Sequence, residues 1–499
     1  MKKILSQLKQ HSETHAHDIA IRSEQKLICF EDLIDDIEQV AAQLRASSIE
    51  RLGLYLDNGI DWIVIDLAAA LAEVTVVPLP WFFSKSQIQH VLVTAGLDGI
   101  VSGRKDSDFG VFFNGKKTLY GDSVLLKSAQ STSQPTHRKI AKVSFTSGTT
   151  GSPKGIELDA DLIGDVCQSI NTLTCELGIE KHLSILPFST LLENICGIYV
   201  PLSQGKSVFA EPSARVGLAQ NLNIDPSQLA AVLKETRPDS LIVTPQLLKL
   251  LCILAEMKKI DTQSLKFVAV GGGHVGSQLI ERAHRLGIPV YEGYGLTEFA
   301  SVAMLNTPDH ARPGSVGKPL AHVEVNLADD GEILLSNKFN PSNVVHTGDL
   351  GKMDDQGYVY ISGRKKNILV LSTGRNVSPE WIEGDLHSLS CVSQCLVFGD
   401  AEPELSAFIF SDPKITSALV DAAIFELNQQ LPAYARIAKW YRLSEPFTVD
   451  NGLLTSNGRP RREPVLNQSI ALIEAASSFH AISPLTVKPS KLISEYTSC

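Results

Sequence analysis

Apolar positions recur along the chain with two different periods. The segments FEDLIDDIEQVAAQLRA (30–46), QLLKLLCILAEM (246–257) and GSQLIERAHRLG (276–287) space them three and four apart, which predicts helices with one buried face. Short, continuous apolar runs alternate with these helices: RLGLYLD (51–57), VTVVPLP (74–80), KVSFT (142–146), SLIVT (240–244), LKFVAVGGG (265–273) and IPVYEGYG (288–295). Such runs predict buried strands, and the strand–helix alternation predicts a mostly parallel sheet covered by helices. From about 300 to 362 the rhythm changes to short β segments. HVEVNLADDGEILLS and DLGKMDDQGYVYIS turn at Asp-Asp-Gly and Asp-Gln-Gly, which predicts hairpins. A smaller α/β segment follows Gly363, with a helix over SPEWIEGDLHSL (378–389) and strands over NILVLS, QCLVFGD and LSAFIF. The expected fold is therefore α/β: a large N-terminal portion of mixed and parallel sheets with a β subdomain (1–363), a small α+β C-terminal domain (364–478), and a weakly patterned tail (479–499).

The 499 residues and 43% hydrophobic content allow large buried cores, and the composition excludes a disordered, collagen-like or coiled-coil chain. The net charge of −10 leaves no basic surplus for a nucleic-acid polymer. The most apolar stretch, Trp62 to Phe83, carries Asp66, Glu73 and two prolines and reads as a buried helix plus a strand, not a membrane span. MKKILSQLKQHSETHAHD lacks an apolar signal core, so it reads as an amphipathic first helix. The eight cysteines are scattered without a C-x-x-C pair and fit a reducing, cytoplasmic compartment.

The densest chemical signal is Ser144-Phe-Thr-Ser-Gly-Thr-Thr-Gly-Ser-Pro-Lys-Gly155. Three glycines permit close backbone approach, Thr146, Ser147, Thr149 and Thr150 offer hydroxyls, and Lys154 adds a positive charge. A turn of this kind cradles a polyphosphate. It is not a Walker A loop, because Pro153 stands where glycine should precede the lysine. Tyr291-Glu-Gly-Tyr-Gly-Leu-Thr-Glu298 follows a predicted strand: Gly293 and Gly295 let the chain turn beside a flat base, Tyr294 can stack on it, Thr297 can bond a phosphate, and Glu298 is a hard oxygen donor for Mg²⁺.

TSGTTGSPKG closely resembles the phosphate loop of the acyl-adenylate-forming superfamily, and YGLTE (294–298) resembles its second signature. Further motifs follow in family order: Gly271-Gly-Gly-His274, His346-Thr-Gly-Asp349, the hinge stretch Gly363-Arg-Lys-Lys-Asn through Glu383, and Leu454-Thr-Ser-Asn-Gly-Arg-Pro-Arg-Arg462. The resemblance spans nearly the whole chain. It implies an acyl-CoA synthetase using ATP, Mg²⁺ and CoA, with a medium- or long-chain fatty acid favoured because LSTGRNVSPE and NGLLTSNG look most like the fatty acyl branch. Residues 146–151 (Thr146, Ser147, Gly148, Thr149, Thr150, Gly151) with Lys154 would hold the phosphates, and Thr146 and Glu298 the metal. Gly272, Gly273, Gly293, Tyr294, Gly295 and Thr297 would border the nucleotide, Asp349 would accept the ribose hydroxyls, and Arg364 would contact ribose or phosphates. Lys366 would be the pivot of the C-terminal domain, and Gly374 would come to the site for the thioester step.

Two positions depart from the family pattern. Arg459 stands where the family has a catalytic lysine bridging carboxylate and α-phosphate; it keeps the charge but differs in shape. Leu186-Pro187 lacks the histidine of LP-x-x-His, so acyl specificity cannot be copied across. The resemblance leaves open an acyl carrier protein as acceptor, a β-lactone-forming second step, a homodimer, and a non-catalytic ATP- or acyl-binding relative.

Overall fold

A computed structural model of the chain describes all residues except 104–108, 110–112, 129–139, 147–152, 220–223, 450, 456–458, 469–470, 474–477 and 483–499. Among the described residues, a seven-stranded, a nine-stranded and a four-stranded sheet build the larger portion.

The seven-stranded sheet has parallel central strands Gly99–Gly103, Arg51–Tyr55, Thr75–Pro78 and Ile140–Thr146. The helix Phe30–Ala46 packs beside it and buries Phe30, Leu33, Ile37, Val40, Ala41 and Leu44, the three-and-four stripe of the sequence. Its ends match its dipole, with Glu31 and Asp32 in the first turn and Arg45 in the last. The Trp62–Phe83 stretch forms the buried helix Ile60–Leu71 and the strand Thr75–Pro78, as its interrupting charges and prolines predict. No helix among the described residues is long and apolar enough to cross a membrane.

In the nine-stranded sheet, Ser240–Val243, Phe267–Val270 and Val290–Tyr294 run parallel, so their C-terminal ends open on one edge. The helices Pro245–Glu256 and Ser277–Arg285 cover one face through Leu247, Leu248, Leu251 and Leu279. A π-helix, Glu193–Tyr199, packs against Ser240–Val243, and the helix Ala160–Thr174 lies between it and the strands Ile140–Thr146 and Lys154–Asp159. The antiparallel sheet from Val323 to Arg364 corresponds to the predicted hairpins.

Beyond a single turn at Lys365–Asn367, residues 369–440 contribute to a separate apolar core built on Gln394–Phe398, Leu405–Phe410 and Ile437–Arg442 with two helices, Pro379–Ser388 and Ser417–Gln430. Two expectations need correction here. The strand over NILVLS shrinks to Leu369–Val370, paired with Asn376–Val377 as a short ribbon. The tail does not begin at 479: Ser478–Ala481 is an edge strand against Ile437–Arg442, with the His480 ring stacked on Trp440 at 4.6 Å. Too few apolar positions mark so short an edge strand for periodicity to find it.

Candidate active site

The polyphosphate-type loop joins two antiparallel strands, Ile140–Thr146 and Lys154–Asp159, with Thr146 directly opposite Lys154 in register. Residues 147–152, including the predicted Ser147, Gly148, Thr149, Thr150 and Gly151, lie outside the described residues. Lys154 is exposed at the root of the loop. A residue that sequence reading missed, His90, is hydrogen-bonded through Nε2 to the Pro153 carbonyl (3.0 Å) and tethers the end of the loop to the helix Lys85–Thr94.

A cavity of about 1520 Å³ opens at the C-terminal edge of the nine-stranded sheet. It is bordered by Gly272, Gly273, Gly293, Tyr294, Gly295, Thr297 and Glu298 from the large portion, and by Arg364, Lys366 and Arg459 from the hinge and small domain. Segments far apart in sequence thus converge because parallel strands end on one edge, the usual site of ligand binding in such sheets. Gly295 is structurally required: a Cβ there would lie 1.6 Å from the Ser301 carbonyl oxygen. Gly272 has φ +82°, a conformation that glycine adopts without strain. A Cβ on Gly273 would meet Pro245 at 3.5 Å, an ordinary contact, so a side-chain methyl fits where the sequence has glycine.

Tyr294 donates its hydroxyl to Asp349 Oδ2 (2.5 Å), and the Arg364 guanidinium pairs with Asp349 Oδ1 (2.7 Å). Arg364 also donates to the Thr347 carbonyl (3.0 Å). Burial pushes the Asp349 carboxyl up, while Arg364 and the Tyr294 hydroxyl hold it down. Burial, reinforced by Asp349, pushes the Tyr294 phenol up, so it stays a donor. Asp349 does not line the cavity itself; it stands behind Tyr294, and each oxygen keeps a lone pair free for a further donor.

Arg459 extends from the small domain and donates through Nη2 to the Gly272 carbonyl. Burial and the neighbouring Arg364 lower its pKa, and Asp349 opposes the shift. Its neighbours Arg461 and Arg462 are engaged inside their own domain, donating to Gly452 O (3.2 Å) and Val397 O (2.6 Å), and Arg462 also binds Glu383. Gly374, with φ +75°, sits in an exposed turn and does not line the cavity. Lys366 is exposed in the single turn at the hinge.

Glu298 sits in the one-turn helix Thr297–Phe299, which packs against Lys154–Asp159, so its carboxylate faces the cavity near the root of the loop. No group of three or more metal-ligating side chains exists among the described residues. One exposed carboxylate near the root of the phosphate-type loop fits Mg²⁺ bound mainly by phosphates and water.

The cavity continues inward along the sheet face under the π-helix. Its wall here is Ala269, Phe267, Ile242, Cys196, Val200 and Ile170, all apolar. The far end carries polar groups that satisfy one another: Gln204 donates to Thr174 Oγ1 (2.9 Å), and His182 bridges Ser240 (2.9 Å) and Glu193 (3.0 Å). At the histidine position of the family motif stands Thr190, whose hydroxyl donates to the Pro187 carbonyl (2.6 Å). Sequence reading also missed a buried cluster beside this channel. Lys142, 2% exposed, binds Asp66, which also accepts from Tyr199 (2.5 Å) and Asn194 (3.1 Å). It joins the strand feeding the phosphate-type loop to the π-helix. The signal was present in Asp66 and Lys142, opposite charges in two otherwise apolar segments.

A family model described as AMP-binding enzyme matches residues 8–340, and the AMP-binding enzyme C-terminal domain matches 366–478. A 2-succinylbenzoate–CoA ligase from Staphylococcus aureus is 25% identical, with 91% of this chain and 98% of the relative covered. The long-chain-fatty-acid–CoA ligase FadD15 of Mycobacterium bovis is 30% identical over 41% of each chain. Among solved structures, o-succinylbenzoate coenzyme A synthetase from Bacillus subtilis in complex with AMP superposes with a TM-score of 0.70 at 20% identity, covering 92% of this chain and 97% of that one. The anthranilate CoA ligase AuaEII with anthranoyl-AMP gives 0.74 at 19% identity, covering 94% and 98%.

Proposed function

Because the chain belongs to the AMP-binding enzyme family, we propose that it activates a carboxylic acid with ATP to an acyl-adenylate and transfers the acyl group to the thiol of CoA. The substrate carboxylate attacks the α-phosphate of ATP and pyrophosphate leaves. The chain's own task is to place two anions in line and cancel their charge. Arg459, reaching the Gly272 carbonyl from the small domain, and Arg364, fixed by Asp349, bring positive charge to the cleft where the carboxylate and phosphates would meet. Glu298 and Thr146 would hold Mg²⁺, which neutralises phosphate charge when bound. Tyr294 would flank the base, with Asp349 accepting from the ribose. For the second step the small domain, 364 to about 482, would turn at Lys366, bring Gly374 to the site and withdraw Arg459, and the CoA thiol would displace AMP.

For the acid, a medium- or long-chain fatty acid is the reading we favour. The observation that carries it is the continuity of one cavity from the nucleotide end into an apolar channel. The wall from Gly271 back to Phe267 rises about 3.3 Å per residue, roughly 13 Å in all, longer than a single aromatic ring needs. The polar groups at its far end already satisfy one another, so they do not require a polar tail. The second reading is an aryl acid, motivated by the full-length relatives that act on 2-succinylbenzoate. Two features weigh against it. No lysine or arginine lines the channel wall under the π-helix among the described residues, and that wall is apolar, so a second carboxylate buried there would find no charge partner. The test is product analysis with ATP and decanoate, with and without CoA. Decanoyl-CoA and AMP are expected only with CoA. Acyl-AMP that never becomes a thioester would exclude CoA as acceptor and direct attention to a carrier-protein thiol.

A further inference from the structure

The small domain can deliver Arg459 only if something holds it over the cleft. Among the described residues no salt bridge crosses between the two parts beyond those of the hinge residues Arg364 and Lys365. Besides Arg459 itself, a half-buried cation crosses. Lys249, on the helix Pro245–Glu256 of the large portion, donates from Nζ to the carbonyls of Leu389 and Val392, both at 2.6 Å. These carbonyls lie just past the C-terminus of the helix Pro379–Ser388, the negative end of its dipole. Val392 in turn donates its N–H to Leu389 O, so the receiving turn is preformed.

The surroundings favour this contact over alternatives. Arg282, the nearest competing cation, is held bidentately by Glu256 at 2.8 and 2.6 Å. Gly384, one turn back on the receiving helix, packs under the His274 ring: a Cβ there would lie 2.3 Å from His274 Cδ2. Glycine at 276 lies equally close to the same helix, since a Cβ would come 2.8 Å from the Gly384 carbonyl oxygen. The two surfaces therefore meet closely at glycines, and Lys249 supplies a charged bond across them beside the neutral bonds that Gln278 makes with Gln430 (2.6 Å) and Ser388 (3.3 Å). Burial pushes the ammonium down to about 8, with Arg282 adding to the shift. The cost of drying the ammonium offsets much of what its two bonds contribute, so the contact is strong in geometry yet can be broken in each turnover.

We propose that Lys249 is a positioning residue: it clamps the small domain, through the Leu389 and Val392 carbonyls, in the arrangement that places Arg459 at the Gly272 carbonyl. The clamp serves the adenylation step and must release for the thioester step; in this it rests on the function proposed above. Lys249 touches no reacting atom and acts through Arg459.

The experiment has two arms on the full chain. In the first, spin labels carried by ketone-bearing amino acids at the exposed Met257 and Lys414 report the distance between the two parts without substrate. The wild type should give one narrow distance, and Lys249→Met a broadened distribution. An unchanged distribution overturns the proposal whether or not any acid is a substrate. In the second, pyrophosphate exchange and thioester formation from supplied decanoyl-adenylate are measured separately. Lys249→Met should lower exchange by about tenfold or more, the loss of two charge-assisted hydrogen bonds from one arrangement, while thioester formation is kept or accelerated. In an Arg459→Ala background the same substitution should cost nothing further in exchange. Equal losses in both half-reactions, or the same fold-loss with and without Arg459, would assign Lys249 a purely structural role and overturn the clamp. Lys249→Gln, which keeps a donor, guards against a folding defect and should fall between wild type and Lys249→Met in both arms.

Discussion

Arg459 of the small domain donates a hydrogen bond to the carbonyl oxygen of Gly272 in the large portion. The residue that departs from the family's lysine is therefore in the cleft and not on an idle basic turn, whereas Arg461 and Arg462 are spent inside their own domain. If Arg459 stabilises charge gathering between carboxylate and α-phosphate, Arg459→Ala should lower the adenylation rate about 100-fold or more, the scale of losing one preorganised charge-stabilising donor. Arg459→Lys should retain a substantial share, because the charge survives. Pyrophosphate exchange measures both; near-normal exchange in Arg459→Ala would remove this residue from the chemistry.

The Tyr294–Asp349–Arg364 chain makes a second prediction. Asp349→Asn weakens the ion pair and alters the acceptor that Tyr294 uses, so Tyr294 and Arg364 lose their fixed positions. The KM for ATP should rise roughly tenfold, about 1.4 kcal/mol. Tyr294→Phe should cost less, since only the hydroxyl is lost. Steady-state kinetics at saturating acid would show it, and an effect confined to the KM for the acid would count against a nucleotide role.

Glycine geometry separates two neighbouring positions. Gly295→Ala forces a Cβ against the Ser301 carbonyl and should destabilise the fold by roughly 1–3 kcal/mol while disordering the Tyr294–Glu298 turn. Gly273→Ala meets Pro245 at an ordinary distance and should leave the melting temperature almost unchanged. Thermal unfolding of the two variants side by side decides whether the turn is packed as described.

Glu292 gives a pH prediction. It is buried beside the Gly271–Val275 turn, accepts from the Val275 N–H, and burial pushes its carboxyl up to about 8 from an ordinary 4.5. Between these values the unfolded chain releases this proton while the folded chain keeps it. The group's contribution to stability is therefore fully present below about pH 4.5 and is lost as pH rises through about 8. Glu292→Gln has no proton to lose. Its melting temperature relative to wild type should climb between about pH 5 and about pH 8; a pH-independent difference would show that Glu292 is already ionised in the fold.

The parts of this molecule legible in the sequence are those where local chemistry and periodicity agree. The helix Phe30–Ala46 carries its buried stripe openly, and the Gly293–Glu298 turn advertises its two glycines. What escaped reading depends on pairings across long separations. Asp66 meets Lys142 through the packing of a helix on a sheet, and Lys249 meets carbonyls, which have no sequence signature at all. Gly374 was assigned to the site from its motif, yet in the arrangement that brings Arg459 into the cleft it faces elsewhere. Motif order does not encode which domain arrangement a chain adopts.

The central claim is adenylation of a medium- or long-chain aliphatic acid in the channel between Gly271 and Phe267. Pyrophosphate–ATP exchange across hexanoate, decanoate, palmitate, benzoate and 2-succinylbenzoate tests it most directly. Exchange should be stronger with decanoate or palmitate than with hexanoate and be weak with both aromatic acids. A maximum on either aromatic acid, or no exchange with any acid in folded protein, would contradict it.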